Sequence, residues 1–213
     1  MKRTLFVTLL LAAAVVHGQP PGPGRGGRGG APQGAGRGAA AQPPLGATPK
    51  PAIPNAKPVR SCESLAMVAL PNTTIESAAV DANNPGICRI TAITTHPPMG
   101  DKVKIWIGIP TSDWNGRFVG IGGGGFSGGS AAGVNQPLAL GYASGSTDTG
   151  HDGGSGSFAL DANGRLNWQA IRDNAHVGIH EMTVTGKALT QAMYGAAPNT
   201  RTSTGVRPAG ARA

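Results

Sequence analysis

Aromatic and charged residues are scarce in this sequence, and its apolar runs are short. Aromatic residues make up 4% and charged residues 13% of the 213 residues. The arginines of the segment Arg25–Arg28 have only glycines between them, so bases would find nothing to stack on there. The apolar run Leu5–Val16 is shorter than the about 20 residues that a membrane-spanning helix needs. We therefore expect neither nucleic acid nor a membrane as a partner.

Basic residues are concentrated at the two ends of the chain. The formal net charge is +8 over all 213 residues. Residues 61–198 nevertheless contain all 10 acidic residues and only seven basic ones, a net charge of −3. The strong basicity therefore belongs to the terminal segments and does not indicate a nucleic-acid-binding surface on the folded part.

The N-terminal residues have the composition of an export signal followed by a spacer. Residues 1–18 combine the basic pair Lys2 and Arg3 with an apolar core and a cleavage site ending at Gly18, so we predict a secreted or periplasmic protein. An uncleaved anchor is the alternative. Residues 19–60 are mostly Pro, Gly, Ala and Arg, with little to bury, and this composition predicts a disordered tether.

The sequence contains only two cysteines, Cys62 and Cys88. In an exported chain such a pair predicts a disulfide, which could stabilise the fold by about 3–4 kcal/mol. A metal site would need more Cys or His nearby. The segment beginning His180-Glu181 lacks the second histidine of H-E-x-x-H, since Val184 stands there, so we predict no metal site and no cofactor.

Hydrophobic alternation predicts several strands before the middle of the chain. The predicted strands are Thr73–Val80, Ile87–Thr95, Val103–Ile109, Arg117–Ile121 and Tyr142–Thr147, with a short helix at Ser130–Leu140. The order is antiparallel-looking strands followed by strand, loop, helix, strand and helix. Such an order is typical of an α/β sheet with helices on its faces.

A long helix is predicted to follow. Its apolar residues recur at steps of three and four: Trp168, Ile171, Ala175, Ile179, Met182, Gly186, Leu189 and Met193. Asn167 can cap its start and Gly195 can end it. An α/β unit should continue with another buried strand, but residues 199–213 contain one valine, three arginines and no periodicity.

The glycine stretch after the fourth strand matches three patterns. Gly120–Gly125 fits the dinucleotide fingerprint G-x-G-x-x-G, with Asp148 placed to bind a ribose. Gly125–Gly129 fits the nucleophile elbow G-x-S-x-G, with Ser127 as nucleophile. A glycine loop after an inner strand is also where α/β-hydrolases place an oxyanion-hole amide. A tight turn with no further role is the fourth possibility.

Position and composition favour the oxyanion loop. A dinucleotide fingerprint usually lies at the start of its domain, whereas several strands precede this glycine stretch. An exported chain also seldom meets free NAD, so both points count against dinucleotide binding. A flexible glycine run is poorly suited to hold Ser127 in one strained conformation. Asp148, His151 and Asp152 follow the next strand and could either line a site or form a turn.

An ordered series of motifs resembles the tannase and feruloyl esterase family. The motifs are Cys62-Glu-Ser-Leu65, Leu70-Pro-Asn-Thr-Thr-Ile75, Cys88-Arg89, Trp114-Asn-Gly-Arg-Phe118, Gly122-Gly-Gly-Gly-Phe126, Ser146-Thr-Asp-Thr-Gly-His151, and His180-Glu-Met-Thr183 through Lys187-Ala-Leu189. The resemblance covers residues 61 to about 198. It implies an α/β-hydrolase that cleaves esters of hydroxylated aromatic acids by a Ser-Asp-His mechanism. It also implies that Gly124 and Gly125 belong to the oxyanion hole.

The resemblance further implies a strand and a Gly-Cys-Ser-x-Gly-Gly motif, which carries the nucleophile, after Pro198. Residues 199–213 lack both. Codons for this tail, read two nucleotides further along, can encode HAYFNGCSTGGRQG. We therefore expect residues 61–198 to be the N-terminal part of an α/β-hydrolase sheet, and residues 199–213 to be an out-of-frame tail. Nucleophile, acid, catalytic His and the lid, which can bind calcium in the family, would then be missing.

Overall fold

The structure, a computed structural model, describes residues 49–200. The predicted signal peptide, residues 19–48 of the predicted tether and residues 201–213 of the tail lie outside the described residues. In the part that the structure describes, no helix is long and apolar enough to cross a membrane.

Six strands of residues 49–200 form one mixed sheet. They are β1 (Thr73–Asp81), β2 (Asn84–Thr94), β3 (Val103–Pro110), β4 (Arg117–Ile121), β5 (Ala143–Thr147) and β6 (Asn199–Thr200), in the spatial order β1-β2-β3-β5-β4-β6. The pairings from β1 through β5 are antiparallel, and β4 is parallel to both β5 and β6. The structure thus confirms the predicted α/β class with antiparallel strands at its N-terminal side.

Helical segments connect and cover these strands. Short 3₁₀ helices lie at Glu63–Met67, Ala131–Val134 and Gly156–Ala159; the longer elements are α1 (Asn135–Leu138), α2 (Trp168–Arg172), a π-helical turn (Asp173–Val177) and α3 (Gly178–Tyr194). The predicted caps are confirmed. The Asn167 side chain accepts a hydrogen bond from the Ala170 amide at 3.1 Å, and Gly195 ends α3 with a φ of 68°.

The predicted apolar face of the long helix is buried against the protein only in the part that follows the π turn. Met182 and Leu189 are fully buried, whereas Trp168 is 63% exposed and Ala175 is also exposed. A π turn contains an extra residue, so the residues before it are rotated out of phase with those after it. The periodic pattern in the sequence could not reveal this change of phase.

Helix α3 packs closely on the sheet at two glycines. A Cβ on Gly186 would overlap the Phe118 ring, and a Cβ on Gly145 of β5 would lie 2.9 Å from Phe118 Cζ and overlap Met182 Sδ. Phe118 is 1% exposed. The sheet and helix can therefore touch only because neither glycine has a side chain.

The predicted disulfide between Cys62 and Cys88 is confirmed, with the two Cα atoms 5.5 Å apart. It joins the 3₁₀ helix at Glu63–Met67 to β2, and both cysteines are buried. The alternation in β3 is also as predicted, since its odd-numbered residues are buried and Lys104 and Trp106 lie half-buried on the opposite face.

Residues 49–60, which the sequence assigned to the tether, lie against the sheet and helix. The amide of Ala52 donates to the Asn115 carbonyl at 2.7 Å, and the amide of Val59 donates to the Met193 carbonyl at 2.7 Å. The guanidinium of Arg117 donates to the Lys50 carbonyl at 2.6 Å. The packed region thus begins before the expected boundary at Ser61.

The described residues end in strand β6, which follows the long helix. Asn199 and Thr200 of β6 pair in parallel with Arg117 and Phe118 of β4. Asn199 is exposed. The segment therefore takes the place where an α/β sheet continues.

Replacing Gly145 by Ala is expected to destabilise the protein by about 1–3 kcal/mol, because the new methyl group meets Phe118, Met182 and Ile107 in a filled core. Chemical denaturation followed by circular dichroism measures the change. The matched control is Gly124→Ala, where the added Cβ meets nothing within 4 Å. Equal stability of the two variants would contradict the packing argument.

Candidate functional site

The glycine loop and the polar turn lie side by side at one edge of the sheet. The parallel pairing of β4 with β5 aligns Ile121 with Ser146, so the segments that follow the two strands leave the sheet together. The carboxyl ends of parallel strands are where α/β sheets bind ligands. The site that the sequence predicts is thus assembled at the expected edge.

The loop after β4 turns sharply at Gly124–Ser127. The Ser127 amide donates to the Gly124 carbonyl at 3.0 Å, and Gly125 has a φ of 61°. Within residues 49–200, the amides of Gly124 and Gly125 donate no hydrogen bond. Both residues are exposed. Two adjacent backbone donors are therefore available to a ligand.

An open cavity of about 170 Å³ adjoins this loop. Its lining includes Gly123 and Gly125 of the loop together with Thr149, Asn174 and Ile179. A Cβ on Gly124 would meet no atom within 4 Å. A small group could approach the loop backbone closely from this side, since no side chain holds it off.

The polar turn after β5 is held by its own carboxylate. Asp148 Oδ1 accepts hydrogen bonds from the amides of Lys104 at 2.9 Å and Gly150 at 2.8 Å. Burial raises the pKa of Asp148, against the opposing effect of these two amides. Its role in the structure is therefore to shape the turn.

His151 connects the polar turn to the glycine loop. Its Nε2 donates to the Phe126 carbonyl at 2.6 Å, and its ring stacks on Phe158 with the ring centroids 3.9 Å apart. Phe126 in turn meets Phe158 edge to face at 6.1 Å. The tip of the glycine loop is thus supported from outside by an imidazole and an aromatic ring.

The dinucleotide interpretation required a free Asp148 carboxylate for a ribose. In the structure that carboxylate is engaged by backbone amides across the edge of the sheet. The loop is also folded on itself, because a Cβ on Gly123 would overlap Ser127 O and one on Gly128 would overlap the Asp148 backbone. These glycines serve close packing of the chain on itself.

The elbow interpretation required a base beside Ser127. In residues 49–200, the hydroxyl of Ser127 forms no hydrogen bond to a histidine, and His151 Nε2 is already bonded to the Phe126 carbonyl. His180 is exposed on α3. The structure thus gives Ser127 no partner that could take its proton.

Sequence reasoning missed two contributors to this site. Phe158 and Asn174 lie in segments with no motif, yet Phe158 stacks on His151 and Asn174 Oδ1 accepts from Thr149 Oγ1 at 3.2 Å. Both residues are distant from the glycine stretch along the chain. No signal in a single sequence could have brought them together.

Comparison with known proteins identifies relatives that match the part of the chain containing this edge of the sheet. The family model "Tannase and feruloyl esterase" matches residues 88–210, more than half of the chain. A probable feruloyl esterase of Arthroderma benhamiae is 35% identical over 129 residues, 58% of this chain and 22% of its own length. A tannase of Aspergillus oryzae is 39% identical over 121 residues, 55% of this chain and 20% of its own.

A solved structure resembles the fold. Feruloyl esterase B from Aspergillus oryzae aligns with a TM-score of 0.56 and 25% identity, over 66% of this chain and 30% of that one. The chain thus spans about a fifth of the length of the curated relatives it matches. Since the family model covers residues 88–210 and the fold agrees, the chain belongs to the tannase and feruloyl esterase family.

Proposed function

We propose that this chain is the N-terminal part of a secreted or periplasmic serine hydrolase that cleaves esters of hydroxylated aromatic acids. The names of its relatives, feruloyl esterases and tannases, support this substrate class. The buried Cys62–Cys88 disulfide fits an oxidising compartment, as does the export-like start of the sequence. No nucleic-acid or membrane partner is part of the proposal.

The observation that carries the proposal is the pair of unengaged amides at Gly124 and Gly125. They follow the carboxyl end of β4, and Gly125 lines an open cavity without a side chain in the way. In ester hydrolysis the carbonyl oxygen becomes negative in the transition state, and preorganised backbone donors stabilise that charge. We assign the two amides to the oxyanion hole, and His151 to holding the loop in place.

The nucleophile of this mechanism belongs on the strand beyond α3. Asn199–Thr200 already pairs with β4 at that position, and the family match continues to residue 210. In the reading frame of this chain, the tail reads Gly205-Val206-Arg207-Pro208-Ala209 where the shifted frame would encode Gly-Cys-Ser-Thr-Gly. We propose that a frameshift after about Pro198 replaced the motif, so that the 213-residue chain carries oxyanion donors without an attacking group.

The 213-residue chain by itself is expected not to hydrolyse methyl ferulate or methyl gallate. An enzyme that has lost its whole catalytic triad accelerates hydrolysis by only about 10³–10⁴-fold over the rate in water, even when it is folded. Release of ferulate or gallate, separated by chromatography, measures the rate. Turnover abolished by Ser127→Ala would support the elbow, and turnover abolished by Ser203→Ala would support a nucleophile in the printed tail.

The coding DNA is expected to contain Gly-Cys-Ser followed by a long open frame, two nucleotides out of step with the codons of residues 199–213. Sequencing the gene from independent templates checks this. If that frame contains an early stop codon or no Gly-Cys-Ser, the frameshift hypothesis is wrong. The assignment of the amides at Gly124 and Gly125 to the oxyanion hole does not depend on this result.

In the chain with its reading frame restored, Gly124→Pro is expected to lower kcat by about 10²–10³, because it removes one oxyanion donor. Gly124→Ala keeps the amide and meets no atom within 4 Å, so it is the control and should retain activity. Steady-state kinetics on methyl ferulate measure both variants, with circular dichroism to verify their fold. A Gly124→Pro variant that keeps kcat within a few-fold would remove Gly124 from the oxyanion hole.

A further inference from the structure

A second polar cluster lies outside the glycine loop, between the β2–β3 connection and the long helix. His96 follows β2 and Asp101 precedes β3. The Nδ1 atom of His96 lies 2.5 Å from Asp101 Oδ2, and the His96 amide donates to Asp101 Oδ1 at 2.9 Å. The imidazole is therefore fixed in orientation by one carboxylate.

The helix contributes two further carboxylates to this cluster. Asp173, at the start of the π turn, is 1% exposed, and Glu181 Oε1 of α3 lies 3.8 Å from His96 Nε2. One ligand atom from each of His96, Asp101 and Asp173 lies within 4.8 Å of the others. Four groups with metal-binding atoms thus converge from two segments of the chain, the β2–β3 connection and the long helical segment.

The protein groups around the cluster satisfy it only in part. Gln169 Nε2 donates to Asp173 Oδ1 at 2.8 Å, and His96 binds Asp101. The Nε2 atom of His96 is buried and has no hydrogen-bond partner, although Glu181 is near. Asp101 and Glu181 both lie within ion-pair distance of the His96 imidazole. Three carboxylates therefore face a single imidazole, and part-buried negative charge without enough partners is costly.

We propose that His96 Nε2, Asp173 and Glu181 bind a divalent transition-metal ion such as Zn²⁺, and that Asp101 orients the imidazole through Nδ1. An imidazole with carboxylates suits zinc better than calcium, which takes oxygen ligands. A histidine that binds a metal usually donates its other ring N–H to a carboxylate, as His96 does to Asp101.

The distance between His96 Nε2 and Glu181 Oε1 fits this assignment after a small rotation of the glutamate side chain. Zinc holds nitrogen and oxygen ligands at about 2.0–2.2 Å, so neighbouring ligand atoms of a tetrahedral site lie about 3.3 Å apart. The separation of 3.8 Å between His96 Nε2 and Glu181 Oε1 is close to that value. The glutamate side chain is partly exposed and can turn toward the imidazole.

The bound ion would tie the β2–β3 connection to the long helix next to the polar turn. A Cβ on Gly150 of that turn would lie 3.2 Å from Asp173 Cβ. The H-E-x-x-H pattern could not reveal such a site, because Glu181 combines here with residues far away in the sequence. The proposed role is structural and does not depend on ester hydrolysis.

Zinc binding to the full 213-residue chain tests the proposal. His176 and His180 are exposed four residues apart on the helical segment and could bind zinc adventitiously, so both are first replaced by Gln. Equilibrium dialysis against Zn²⁺ is expected to leave one ion per chain. Co²⁺ in place of Zn²⁺ should give the visible absorption of a site with nitrogen and oxygen ligands.

Variants in the same background separate the proposed site from its surroundings. Asp101→Asn should weaken zinc binding by about 10–100-fold, the usual effect of removing a partner of a ligating histidine. Glu181→Gln should weaken it at least as much, whereas Glu76→Gln, an exposed carboxylate on β1, should leave it unchanged. The Gln and Asn replacements preserve side-chain shape, and circular dichroism verifies the fold. Absence of bound zinc, or equal affinity in Glu181→Gln and Glu76→Gln, would overturn the proposal.

Discussion

The parallel pairing of β4 with β5 is the constraint on which the candidate site depends. It places the glycine loop and the polar turn side by side, although β1, β2, β3 and β5 are joined in antiparallel fashion. The two segments then support one another through His151 and the Phe126 carbonyl. Without this pairing, the loop amides would face no neighbouring segment, and the cavity beside them would lose its second wall.

Much of the fold could be predicted from local chemistry. The alternation of apolar and polar residues predicted β2 and β3. The capping residues Asn167 and Gly195 predicted the two ends of the long helical segment. The two cysteines, in a chain expected to be exported, predicted the disulfide. These features are local or depend on few residues, so a single sequence is enough to identify them.

The remaining features depend on contacts between distant segments. The insertion of β5 between β3 and β4 follows from how helices and sheet pack, not from any strand's own pattern. The contact of residues 49–60 with Asn115 and Met193 comes from a segment whose composition resembles a spacer. The cluster around His96 joins residues of the β2–β3 connection to the long helical segment. In each case, the local sequence around a residue does not indicate which distant residue it contacts.

The π-helical turn at Asp173–Val177 also affects which insertions and deletions this region can accept during evolution. Because the turn holds an additional residue, α2 is rotated out of phase with α3 by a fixed amount. Each residue of an α-helix advances the chain by about 100° around the axis. Losing one residue here would leave α3 seated on Phe118 and rotate Asp173 away from His96. A single-residue deletion would thus act on the carboxylate cluster while sparing the core.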